Sequence, residues 1–284
     1  MKKMNYALIF TCLLVFGCAG LPFQRATVFF EDPIGRLGIE EIEPDGWELG
    51  GVDLHLGIPD GGVEKSEEKN IVFTQIEKGE GLKTEFTRYR TDSYRKGFQE
   101  GSFILRSLSR FEGLKGEVTE EVEMTARGEI VRLIEGYHDS KMGKFRITDW
   151  KRTPVFPEGR AKMGDEWTYQ EEMQIEFESG WVKRQTREPY VIRAKSKLTG
   201  FALVSGRRCA VIETEAFQTQ LEKIKVLWKE LNLEIYSDIR EWMYLDYRTG
   251  TVIARIVRSE NRTTSPDASI MDFGQSLSVY SLTE

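Results

Sequence analysis

Beyond its first twenty residues the chain alternates apolar and polar positions with a period of two. In the clearest run, Trp167, Tyr169, Met173, Ile175 and Phe177 alternate with Gln170, Glu172, Gln174 and Glu176, the pattern of a strand with one face buried and one in water. Glu178-Ser179-Gly180 predicts a turn with Trp181 starting the return strand, and Tyr190, Ile192, Ala194 and Leu198 share one parity. Ala202 to Val204, Ser205-Gly206 and Cys209 to Ile212 predict a tight hairpin. Ile239–Tyr247 with Val252–Val257 predict a second, and Val118–Met124 with Ile130–Ile134 a third. Hairpins this close imply antiparallel pairing, because parallel strands need long crossovers. The expected fold is mainly β: an antiparallel curved sheet or half-barrel of hairpins, with one or two helices.

One stretch departs from that period. Phe217, Leu221, Ile224, Trp228 and Leu231 recur at spacings of 4, 3, 4 and 3, which predicts a helix over 216–231 packed across the sheet. A strand using Ile224, Val226 and Trp228 is the competing reading. In Thr153-Pro154-Val155-Phe156-Pro157-Glu158-Gly159 the two prolines cannot both sit inside a paired strand. The chain is expected either to divide there, into a β-rich part over 27–155 and a hairpin part over 156–284, or to run through as one continuous domain.

Of the 284 residues, 40% are hydrophobic and 11% aromatic, enough to bury a core and too much for a disordered chain. The formal charge is −6 with no basic stripe, which argues against nucleic acid as a partner. At the N-terminus, Lys2 and Lys3 precede Tyr6 to Phe16, an apolar run of about a dozen residues, too short to cross about 30 Å of hydrocarbon as a helix. That is the layout of an export signal.

Val15-Phe16-Gly17-Cys18 closes the run and resembles the lipobox of bacterial lipoproteins. The resemblance implies that residues 1–17 are a signal peptide, that Cys18 carries a diacylglycerol on its thiol, and that an acyl chain such as palmitate joins the new amino group. With Ala19 in place of Asp, it further implies a lipid anchor in the outer membrane and a domain facing the periplasm. Residues 18–26 then form a short tether before the strand-like Thr27–Phe30. Losing Lys2 and Lys3 moves the formal charge to −8. Cys209, in an apolar run with Ala210, Val211 and Ile212, is left with no cysteine to pair with, so a buried structural thiol is expected. The Pro-rich link followed by Gly164-Asp165-Glu166-Trp167 also resembles, over residues 155–260, a feature of several uncharacterised β-rich bacterial lipoprotein families. That likeness implies a fold and supplies no catalytic residue.

Chemistry has little to stand on. Ser140 and Asp139 adjoin His138 and cannot easily converge as a triad, His55 sits alone in Val52–Leu56, and no Gly-x-Ser-x-Gly elbow exists. Ser66–Lys69 and Ser93–Lys96 lack companion motifs. Two histidines and one spare thiol give no metal-ligand spacing, and the acidic runs Glu40–Asp45 and Glu120–Glu123 contain no calcium loop. The expectation is a non-catalytic protein without metal or cofactor. It would bind a hydrophobic small molecule in a cavity lined by Trp167, Tyr169, Phe177, Trp181 and Tyr190, with the 217–231 helix as a lid, or else bind an envelope protein. The alternative is a purely structural or interaction module of an outer-membrane complex, with an exposed apolar patch at Phe98, Phe103 and Leu105. A hydrolase is the third class, and a cleft holding a histidine or two close carboxylates would favour it.

Overall fold

The computed structural model describes residues 37–57, 63–78, 81–97, 101–111, 116–140, 143–179, 182–186, 188–226, 229–264 and 271–283. The first part of the chain forms β1 (Ile39–Ile42), the four-residue helix α1 (Gly46–Leu49), β2 (Val52–Asp53), β3 (Val63–Lys78), β4 (Gly81–Gly97), β5 (Ser102–Phe111), β6 (Gly116–Thr125), β7 (Ile130–Ser140) and β8 (Gly143–Arg152). The second part forms β9 (Arg160–Ala161), β10 (Glu166–Ser179), β11 (Val182–Thr186), β12 (Tyr190–Val204), β13 (Arg207–Val226), β14 (Lys229–Asp246), β15 (Thr251–Thr264) and β16 (Met271–Thr283).

Fourteen strands make one antiparallel sheet, and its pairings run in a circle. From β3 each strand pairs with the next through β8; β8 then pairs with β10 from Arg152↔Glu171 to Lys144↔Glu178. The circle continues through β12, β13, β14, β15 and β16, and β16 returns to β3. The mainly β, curved antiparallel fold expected from the sequence is present, and its curvature carries it round to closure as an up-and-down barrel. The other two strands are additions: β11 fills the gap between β10 and β13 at one end, and β1 pairs with the end of β12. Strands from both sides of the 153–159 link belong to this one sheet.

Period two sets the two faces. Phe103, Val118, Val122, Ile147, Trp150, Met173 and Ile175 are buried in one cluster on the inner face. Outward positions are charged and exposed, among them Arg132, Lys151, Glu176, Lys195, Glu215, Arg240 and Glu260. Bulges at Gln174/Ile175, Leu198/Gly200 and Tyr244/Leu245 bend the strands and add to the twist that closure needs. The Ser205-Gly206 turn has φ of 52° and 75°, the double left-handed geometry that matches the twist of a two-residue hairpin. Cys209 is fully buried and free, and burial pushes its thiol up to about 12.

Two expectations are corrected. Residues 216–226 and 229–231 are strand, in β13 and β14, and Trp228 lies outside the described residues. Phe217 and Leu221 are 42% and 36% exposed, whereas Gln218, Gln220 and Glu222 are buried. β13 has a hydrogen-bonding neighbour on each side, β12 or β11 and then β14, so the sheet period overrides the helical stripe, whose Phe217 and Leu221 are left exposed on the outer face. The patch predicted at Phe98, Phe103 and Leu105 does not form as drawn. Phe103 is fully buried opposite Met124 on the inner face, Leu105 is half-buried, and Phe98 lies outside the described residues.

Candidate functional site: the barrel interior

One end of the barrel has a floor. Leu56 N–H donates to the Ala126 carbonyl at 2.7 Å in the β6–β7 turn, and Gly57 N–H donates to the Gly250 carbonyl at 2.9 Å in the β14–β15 turn. These turns lie on opposite arcs of the ring, with β7, β8, β10, β12, β13 and β14 between them on one side, so the segment 51–57 straps the barrel mouth. Backbone passes so close to backbone that a Cβ on Gly250 would sit 2.1 Å from Gly57 N, and Gly250 also needs a φ of +68°. Val52 and Leu54 of the strap pack with Phe156, Phe201, Leu245 and Tyr247 in one buried apolar cluster. The Pro-rich link helps to hold it: Trp167 Nε1 donates to the Val155 carbonyl at 2.6 Å, and Arg127 Nε to the Phe156 carbonyl at 3.1 Å.

A buried carboxylate locks the strap in place. Asp45 and Glu48 form a capping box on α1. The Glu48 carboxylate also accepts Arg208 Nε and Nη2, each at 2.5 Å, and the Tyr247 hydroxyl at 2.6 Å. Burial alone would push its pKa up; hydrogen bonds from Arg208, Tyr247 and the Asp45 N–H outweigh that and hold it down at about 2.

Above the floor the inner face is mixed. Glu171 accepts Trp150 Nε1 at 2.7 Å and lies 3.8 Å from Arg152 Nη1. Arg255 Nε donates to Glu241 at 2.8 Å, and Ser196 Oγ lies 2.8 Å from Thr214 Oγ1. Glu120 shares the inward parity of Val118 and Val122 on β6. Burial, then the nearby Glu171 charge, pushes its carboxyl up to about 7. Tyr169 is raised by burial and then by Glu241 and Glu171. Higher on the wall, the Tyr190 hydroxyl donates to Glu222 at 3.1 Å.

Of the five aromatic residues named from sequence, Trp167, Tyr169 and Tyr190 share the inner face, at the floor, beside the Glu171 cluster and beside Glu222 respectively. Phe177 pairs with Phe145 in backbone register; its side chain, Trp181 and Cys18 lie outside the described residues. Sequence reasoning missed the polar inner wall of β13 to β15: Gln218, Gln220, Ser237, Asn261 and Thr263, all buried. The available signal was the alternation of Gln218, Gln220 and Glu222 with Phe217 and Leu221, read with the polar residues inward. His55 Nδ1 sits 3.3 Å from the Asp53 carbonyl on the strap, and the His138 side chain lies outside the described residues.

The outer face carries a groove of about 1020 Å³ across β10 and β12 to β15, walled by charged residues such as Arg193, Lys195, Asp238 and Arg240 together with Phe217 and Trp242. Strands that cross hydrocarbon need an outward apolar band about 25 Å tall; the described outward positions of these strands carry charges there instead.

No family model matches the chain, and no curated protein matches it at a significant level. Among solved structures it is similar to OmpT, an outer membrane protein of Vibrio cholerae, at 5% identity over 78% of this chain and 97% of that one, with a TM-score of 0.27. A BenF-like porin from Pseudomonas fluorescens Pf-5 gives 9%, 78%, 98% and 0.26, and OpdQ of Pseudomonas aeruginosa gives 7%, 78%, 98% and 0.26. Overlaps this loose say nothing of function or location, and the barrel described above rests on its own strand pairings.

Proposed function

We propose that this chain is a lipid-anchored envelope protein that holds a small amphipathic molecule inside its barrel without converting it chemically. The observation that carries the reading is the ring of paired strands, closed on itself and floored at one end by the 51–57 strap. Inside, its wall is partly apolar and partly polar. Val15-Phe16-Gly17-Cys18 supplies the anchor, and the charged outward face keeps the barrel in water beside the membrane. Anchoring would use two or three acyl chains, since one alone binds only marginally, and would hold the domain at the outer membrane on its periplasmic side.

Two measurements test this. Cells fed labelled palmitate should label the wild-type chain, and Cys18→Ser should abolish labelling and retain residues 1–17. An unlabelled wild-type protein would remove the anchor from the reading. The chain from Ala19 onward, exported behind a cleavable signal that adds no lipid, contains every described strand and should carry a small amphipathic mass in native mass spectrometry. A bare mass, with cross-links from the anchored protein to one envelope protein, would move the function from carriage to docking.

A further inference from the structure

On β13 to β15 the inner wall changes from apolar to uncharged polar. Gln218, Gln220, Ser237, Asn261 and Thr263 are each at most 5% exposed. Gln218 stands opposite Ser237, and Ser237 opposite Asn261; Gln220 stands opposite Ile235, and Ile235 opposite Thr263. The five side chains therefore occupy two neighbouring rungs of one face. Same-face neighbours on adjacent strands lie roughly 5 Å apart, and the rungs roughly 7 Å apart along each strand.

Their polar atoms are unanswered within the described structure. Both side-chain amide atoms of Gln220, Gln218 Nε2, Ser237 Oγ, Asn261 Oδ1 and Thr263 Oγ1 are buried with no hydrogen-bond partner. Asn261 Nδ2 reaches Ser259 Oγ at 3.4 Å. Buried polar groups left like this are costly and ask for an explanation. Three interior carboxylates already have partners: Glu222 with Tyr190, Glu241 with Arg255, and Glu171 with Trp150 and Arg152. What remains on this wall is neutral and mixes donors with acceptors. A hydroxyl answers both, whereas a carbonyl or an ammonium answers only one kind. Several hydroxyls at spacings of about 5 Å suit a sugar ring.

We propose that these two rungs bind a neutral polyhydroxyl group of the saccharide class, with Ile235, Leu233 and Tyr190 beside them receiving an attached apolar portion. This rests on the reading of the barrel as a binding vessel and names the polar end of its ligand.

The test compares three probes on the chain from Ala19 onward by isothermal titration: octyl glucoside below its micelle threshold, 1-octanol, and glucose. Octyl glucoside is expected to bind at least tenfold more tightly than 1-octanol. Gln218→Leu with Gln220→Leu should erase that preference while leaving 1-octanol binding unchanged. Should that pair fail to fold, Ser237→Ala with Thr263→Val, which keep shape and lose the hydroxyls, should reduce the same preference. Glucose binding as tightly as octyl glucoside would identify free saccharide as the source, and weaker binding a glycolipid; both support the assignment. Equal binding of octyl glucoside and 1-octanol, unaffected by the variants, would overturn the saccharide assignment and leave the vessel standing. Binding of none of the probes would overturn both. A crystal structure grown with octyl glucoside and showing only ordered water on the two rungs would also overturn the assignment.

Discussion

Glu48 offers the sharpest check on how the floor is held. Its carboxylate is fully buried and accepts from the Asp45 N–H, from two nitrogens of Arg208 and from the Tyr247 hydroxyl. In the folded protein it titrates at about 2, against an ordinary 4.5. At about 1.4 kcal/mol for each unit of pKa difference, that gap corresponds to about 3 kcal/mol. Because the folded value is the lower one, the contribution is complete above pH 4.5 and drains away as pH falls toward 2. Glu48→Gln keeps the size of the side chain but cannot carry the charge that Arg208 faces. Removing one partner of such a pair costs about 3 kcal/mol or more when the other is fully buried; the Arg208 side chain is 25% exposed, which places the expected loss at about 2–3 kcal/mol. Urea unfolding of both proteins at pH 7, 4.5, 3.5 and 2.5 measures this. The difference between them should be steady from pH 7 to 4.5 and shrink toward pH 2.5, other carboxylates titrating alike in both. Parallel curves down to pH 2.5 would refute the account of the clamp.

Two further outcomes bear on the floor and the interior. Gly250→Ala should lower stability by about 2 kcal/mol or more in urea unfolding, because the added Cβ would meet Gly57 N at 2.1 Å from a backbone at φ +68°; Gly206→Ala, which has a similar φ and nothing within 4 Å, separates the collision from the backbone strain. Glu120 should behave oppositely to Glu48. Its carboxyl is raised to about 7 by burial and by Glu171, so its folded form keeps a proton that the unfolded chain has lost, and stability should fall as pH rises from about 4.5 through 7. Glu120→Gln should remove that slope, matching wild type near pH 4 and exceeding it at pH 8 in the urea midpoint.

Local period made most of this fold legible. The Ser205-Gly206, 247–250 and 126–129 turns lie where apolar alternation stops, and antiparallel pairing follows from their length. Closure was not legible, because it depends on β8 meeting β10 across the long 153–165 link and on β3 meeting β16, pairings that no local pattern encodes. The site was half legible for a related reason. Trp167, Tyr169 and Tyr190 were found because an apolar residue of the right parity points inward in any half-buried strand. Gln218, Gln220 and Asn261 point inward too, but only a closed barrel gives a polar residue an interior to face. Phe217 and Leu221 completed the deception: on the outer face they are exposed, and in the sequence they resembled one side of a helix.

The pairing of β3 with β16 also governs how the barrel can be made. Ile76 pairs with Gly274, 198 residues further along the chain. Until the last strand arrives, β3 and β15 each present an unpaired edge, and such edges are templates for pairing with other chains. Contacts this distant in sequence are among the slowest to form. The final strand therefore acts as a latch, and a chain cut short before Met271 would keep both edges open whatever the quality of its floor. Loss of a single terminal strand should then appear as aggregation and proteolysis in the cell, long before any question of ligand arises.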